Sequence, residues 1–153
     1  TTQSLLQWIR FAYGRADVLP DAEAPKLEAA VRPHLRRLHR LVRRAGKDFE
    51  RMDVASRHRT RKRLKRLRYG AEFFAALWPA QAWTAYQLRL RQAQEALGAL
   101  QDVEVAEPLY REQAEYDPRA WFVVGWLAAR RDALIGDAAR ALRAVGRAPK
   151  FLR

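Results

Sequence analysis

The chain of 153 residues is long enough for one ordinary domain with a real core, burying roughly two-thirds of the surface that its unfolded form exposes. It has no cysteine, which excludes disulfides, thiolate zinc sites and thiol nucleophiles, and its 30 Lys/Arg against 17 Asp/Glu give a net charge of +13. The excess is local: the 37 residues from Arg32 to Arg68 hold 16 basic and 3 acidic residues, and the remainder is balanced at 14 of each. A field of one sign repels itself, so this stretch points to a polyanionic partner.

Ala, Leu, Arg, Glu and Gln dominate every segment and strand-like alternation is nowhere sustained, so the elements read as helices. Gln3 to Tyr13 forms a short leading helix, and Thr1-Thr2-Gln3 lacks the charged and apolar regions of a signal peptide. Asp21 to Glu50 is helical, with a kink or restart expected at Pro33. Asp53 is placed to cap a helix that runs from Val54 to Trp78 and stops at Pro79. Gln81 to Tyr116 follows, bent at Gly98 and Pro108. Asp117-Pro118 then opens a last helix that runs to about Arg147. Its apolar stretch, Trp121 to Ala129, is far short of the roughly 20 residues of a membrane span. Short connections between long helices predict an all-α fold, an antiparallel four-helix bundle with an additional short N-terminal helix. The expected division is a leading helix over 1–18 and a bundle over 19–153.

At 100° per residue, Val31, Leu35, Leu38, Val42, Ala45 and Phe49 share one side of their helix, while Arg36, Arg40, Arg43 and Lys47 share the opposite side. In the next helix Leu64, Leu67, Ala71, Phe74 and Trp78 form the buried stripe. His58, Arg61, Lys62, Lys65, Arg68 and Tyr69 gather on a different face. The two cationic rows form either one groove or adjoining ridges. Most of the cations are Arg, whose planar fork matches phosphate, although a biased coding composition gives the same enrichment.

The sharpest motif is the run from His58 to Phe74: His58, Arg61, Lys65, Arg68-Tyr69, Glu72 and the aromatics Phe73 and Phe74. It resembles the signature helix of the CHAD family, the conserved histidine α-helical domain, at every position of that pattern. Leu97-Gly98-Ala99-Leu100-Gln101-Asp102 is similar to the family's Leu-Gly-x-Leu-Asn-Asp element, with Gln101 where Asn is usual. Ala148-Pro149-Lys150-Phe151 is similar to a terminal Lys-Pro-Phe-Trp, with Pro and Lys transposed and Leu152 in place of the Trp. The resemblance spans roughly Lys26 to Phe151. It implies one half of a tandem of two helical bundles, residues 1–18 being the tail of the other half. It also implies binding of inorganic polyphosphate, a cytoplasmic location at polyphosphate granules, and no catalysis. The partners expected are polyphosphate and either the other half of the tandem or a homodimer mate.

The residues themselves support the same chemistry less specifically. A linear polyphosphate has no bases to read and requires only a cationic track. The expected contacts are His58, Arg61, Lys62, Lys65, Arg68 and Tyr69, extended by Arg36, Arg40, Arg43 and Lys47, with Arg66 and Lys150 as additions. His58 adds a donor whose ordinary pKa lies near 6.5, and Glu72, one turn after Arg68, orients that Arg. His34 and His39 are structural or solvated, Asp102 is structural, and Trp83, Trp121, Phe122 and Trp126 belong to core or interface. Nucleic acid competes for the same surface, but little aromatic interleaving and no known reading motif accompany the charge. A phosphotransfer module centred on His58 is the other alternative. No Gly-rich phosphate loop, carboxylate cluster or nucleophile with a positioned base favours hydrolase or kinase chemistry, and no cofactor or metal is expected.

Overall fold

The computed structural model describes residues 24–147 together with Pro149 and Leu152. The leading helix expected at Gln3–Tyr13, the 1–18 segment, Lys150 and Phe151 lie outside the described residues. Those described are all-α: α1 (Ala24–Asp48), α2 (Val54–Phe73), α3 (Ala80–Gln113) and α4 (Ala120–Val145), with short 3-10 turns at Phe49–Arg51 and Ala75–Leu77 and no strand among them.

The chain divides into two units after Pro33. The described residues of the first are the opening turns of α1, where Glu28 and Arg32 pair across one turn. Pro33 lies inside α1, which does not restart there.

In the second unit the sequence periodicity becomes a core. Leu35, Leu38, Val42, Ala45 and Phe49 are buried, as are Leu64, Leu67, Ala71 and Trp78. α3 adds Trp83, Tyr86, Leu90, Ala93, Leu97 and Leu100, and α4 adds Ala138, Ala139, Leu142 and Val145. Side-chain pairs fix the direction of each neighbour. Between α2 and α3, Arg57 meets Glu104, His58 meets Gln101, Arg68 meets Gln94 and Glu72 meets Gln87, so one number rises as the other falls. Between α1 and α4, Gly46 lies against Leu142 and Gly146 against Arg43. Between α3 and α4, Glu107 pairs with Arg131 and Arg89 donates to the Arg147 carbonyl. All three contacts are antiparallel, the up-down-up-down arrangement that short connections favour.

Helix ends follow local chemistry. Asp53 caps α2 by accepting the Ser56 N–H at 2.6 Å. The α-helix stops at Phe73, five residues before the expected end at Trp78, because the Trp78 indole N–H donates at 3.0 Å to the Ala71 carbonyl, one of the acceptors left over at a helix end. The chain tightens into the Ala75–Leu77 turn, and Phe74, expected in the buried stripe, is only half-buried. Asp117 accepts the Arg119 N–H at 3.0 Å, yet the regular helix begins at Ala120 because the first turn is of the tighter i to i+3 kind. α3 runs through both Gly98 and Pro108 as one helix.

Beyond the α1–α2 turn, α3 and α4 continue as a hairpin. Every residue from 108 to 113 is exposed, and the buried side chains from there to residue 130 are Ala114, Ala120, Val124 and Leu127. Ten residues of each helix make an arm about 15 Å long.

Candidate functional site

The α2 face that meets α3 is built from a run of cations and a ladder of glutamines. Gln87, Gln94 and Gln101 recur every seven residues, two turns, and so share one flank of α3. Each engages a side chain of α2. Gln101 Oε1 lies 2.9 Å from His58 Nδ1, Gln94 Oε1 accepts from Arg68 Nε at 2.7 Å, and Gln87 Nε2 donates to Glu72 at 3.2 Å. With Gln101 as acceptor, His58 Nδ1 carries the proton and Nε2 is the ring nitrogen left for a ligand. Glu72 receives Arg68 Nη1 at 2.7 Å, as the one-turn spacing predicts, and also lies 3.7 Å from Arg91. Arg68 is thereby fixed, with its guanidinium 4.2 Å over the Tyr69 ring. By hydrogen bonding and then by charge, Arg68 holds the exposed Tyr69 phenol below its ordinary pKa.

Between the His58 and Arg68 anchors the same register sets Arg61 and Lys65 across from residues 95–101. Neither cation has an ion pair among the described residues, and the half-buried Arg61 has a fully buried Nε with no hydrogen-bond partner. Gly98 stands at this place on the α3 flank, and a Cβ built on it meets nothing within 4 Å. The result is an open notch at the bare backbone of Gly98, in register with two cations that have no ion pair among the described residues. At its end Arg57 is buried against Glu104, their side chains 11% and 4% exposed, and closes the groove as a neutral pair.

Lys62 and Tyr69 stand on the outer rim of α2, and Arg66 is exposed on the side nearer α1. The α1 row is elsewhere. Arg36 Nε donates to the Leu152 carbonyl at 3.3 Å, and the Arg43 stem packs on Gly146, so this row lies on the flank of α1 that meets α4. Arg40 and Lys47 are exposed on the same side. The two rows therefore flank opposite sides of the α1–α2 pair and do not form one groove. Arg37, Arg44, Arg59 and Arg63 fill the surface between them.

Sequence reasoning missed the glutamine ladder, whose signal was the heptad spacing of three identical polar residues along one helix. His39 is in the core, 3% exposed, with Nδ1 2.7 Å from the Tyr86 hydroxyl. Burial and then the charge of Arg43 depress its pKa, opposed in part by the backbone of Gly146. Asp102 is exposed on α3. Among the described residues no group of His, Asp and Glu is arranged to hold a metal ion, and no helix is long and apolar enough to cross a membrane.

The notch explains why two separated motifs occur together, since Gln101 orients His58 and Gly98 leaves the space between the anchors open. The family model of the CHAD domain matches residues 2–111, which include both motifs. The chain belongs to the CHAD domain family. The matched region ends within α3, so α4 and the Ala148–Phe151 segment of this CHAD protein lie beyond it. No curated protein and no solved structure matches the chain.

Proposed function

We propose that this CHAD domain binds inorganic polyphosphate in the α2–α3 groove, without catalysis, and is held by it at polyphosphate granules in the cytoplasm. His58, Arg61, Lys65 and Arg68 line the groove, and Lys62 and Tyr69 form its rim. Arg66 and the α1 row of Arg36, Arg40, Arg43 and Lys47 extend the attracting field around the bundle. The observation that supports this reading is the pairing pattern on the α2 face: Arg61 and Lys65 have no ion pair among the described residues and lie between His58 and Arg68, which Gln101 and Gln94 hold in place. Anionic oxygens there gain charge-assisted hydrogen bonds from cations that have no carboxylate partner among the described residues. The row follows the helix axis for the eleven residues from His58 to Arg68, about 15 Å from first to last, a shape suited to a threadlike anion.

Competition titration at two salt concentrations tests the reading, with long-chain polyphosphate, single-stranded DNA, duplex DNA and RNA at matched phosphate concentration. Preference for polyphosphate at both salts is expected. Equal affinity for all four, falling together with salt, identifies a general polyanion binder and rejects the proposal.

A further inference from the structure

The arm of α3 and α4 has a face that no other helix covers among the described residues, and its pattern is complementary to itself. On α4, Phe122, Gly125, Trp126, Ala129 and Ala133 are all exposed and share the side opposite the core. Phe122 is 82% and Trp126 54% exposed, and Trp121 beside them is 53% exposed. Leu127, by contrast, is buried and takes no part. Residues 120–129 carry no charge, and a Cβ built on Gly125 meets nothing within 4 Å.

We propose that two copies of the chain pair through this face, α4 against α4 and antiparallel, about a two-fold axis that passes between Trp126 and Ala129. In that register Trp126 of each copy meets Ala129 of the other, and Phe122 meets Ala133, so each large ring faces a small residue. Arg130, whose guanidinium lies 5.4 Å over the Trp126 ring, falls opposite Gly125, the vacant position of the face. A two-fold interface requires one surface to complement itself, and alternating large and small residues across facing positions is how helix faces interdigitate.

Charge and area favour a second copy over another occupant. The arm from Val105 to Arg131 has four acidic and four basic residues, so two arms approach without net repulsion while the basic α1–α2 surfaces stay apart. The exposed parts of three aromatic rings and their small neighbours, summed over both copies, come to on the order of 1,000 Å², where specific interfaces begin. The dimer is accordingly reversible. This inference is independent of the polyphosphate reading.

Sedimentation velocity of the full chain from about 1 to 100 μM, in roughly 0.3 M salt and without polyphosphate, measures the association over the range set by an interface of this size. A concentration-dependent shift to twice the chain mass is expected. Trp126→Arg and Ala129→Glu change exposed positions, so each variant keeps its helical circular dichroism and sediments as a monomer. An equimolar mixture of the two recovers a dimer, because Arg at 126 then meets Glu at 129 while the reciprocal Trp126–Ala129 contact stays native. A monomeric wild type overturns the proposal. So does a dimer that survives both single variants, which assigns the contact to another surface, or a mixture that stays monomeric, which rejects the register.

Discussion

The two cationic rows are close to identical as sequence, four or more Arg and Lys at helical spacing on neighbouring helices, and they differ in what stands beside them. The α2 row faces a helix that offers glutamines to hold two of its members and a glycine that leaves space in front of two others. The α1 row faces the end of α4, where Arg36 is taken up by a backbone carbonyl and Arg43 packs its stem on Gly146. Both attract anions at a distance; in the proposed reading only the α2 row also offers a seat. Charge density sets the long-range field, and the neighbouring helix decides where that field becomes a site.

The comparison breaks most readily by reversing charge in one row at a time. Arg61→Glu with Lys65→Glu removes both unpaired cations of the notch and is expected to weaken polyphosphate binding on the order of 100-fold near physiological salt. Arg40→Glu with Lys47→Glu makes the same change in net charge on the α1 row and is expected to cost about 5-fold, as field alone. Equal losses in a fluorescence titration reduce the two rows to one undifferentiated surface.

Filling the notch is the next test. Gly98→Leu places a side chain in the open space and is expected to lower affinity about tenfold, roughly 1.4 kcal/mol, with the bundle intact. Gly98→Ala adds only the Cβ, which meets nothing, so it stabilises α3 by about 1 kcal/mol in denaturant unfolding and has a smaller effect on binding. Gln101→Ala releases His58 from its one described partner and is expected to weaken binding about 3-fold to tenfold, the range for one lost hydrogen bond. An unchanged affinity removes Gln101 from the site.

Much of this was legible in the sequence, for identifiable reasons. The period of 3.6 residues gave the buried faces of α1 and α2, and Asp53 announced the cap of α2, because those signals are local; Asp117 announced the turn before α4 but is not its N-cap, which falls at Arg119. The early end of α2 was hidden, since the Trp78 indole that satisfies the Ala71 carbonyl comes from beyond the helix. The separation of the two rows was hidden as well: a helical wheel gives the angle between a cation and its own core stripe but not which neighbour lies to either side. Phe122, Trp126 and Leu127 read alike as composition; helical periodicity sets Leu127 on a different face from the two rings, and the structure shows which of those faces is buried.

His39 gives the smallest effect and sharpens the contrast with His58, since one imidazole is buried in the core and the other lies at the α2–α3 contact. Its folded-state pKa is depressed, so the unfolded chain binds the proton more tightly, and the stability it contributes is present above about pH 6.5 and lost as the pH falls. His39→Leu is expected to flatten the fall in melting temperature between pH 7 and 5. The same slope in wild type and variant contradicts this.

The most direct measurement of the central claim is the arginine Nε–H NMR spectrum during titration with polyphosphate. Arg61, whose buried Nε has no partner among the described residues, is predicted to shift first and furthest, with Arg36, already bonded to the Leu152 carbonyl, little changed until the ligand is in excess. Early shifts at Arg36, Arg40 and Arg43 with Arg61 unmoved would place the anion on α1 and contradict the account.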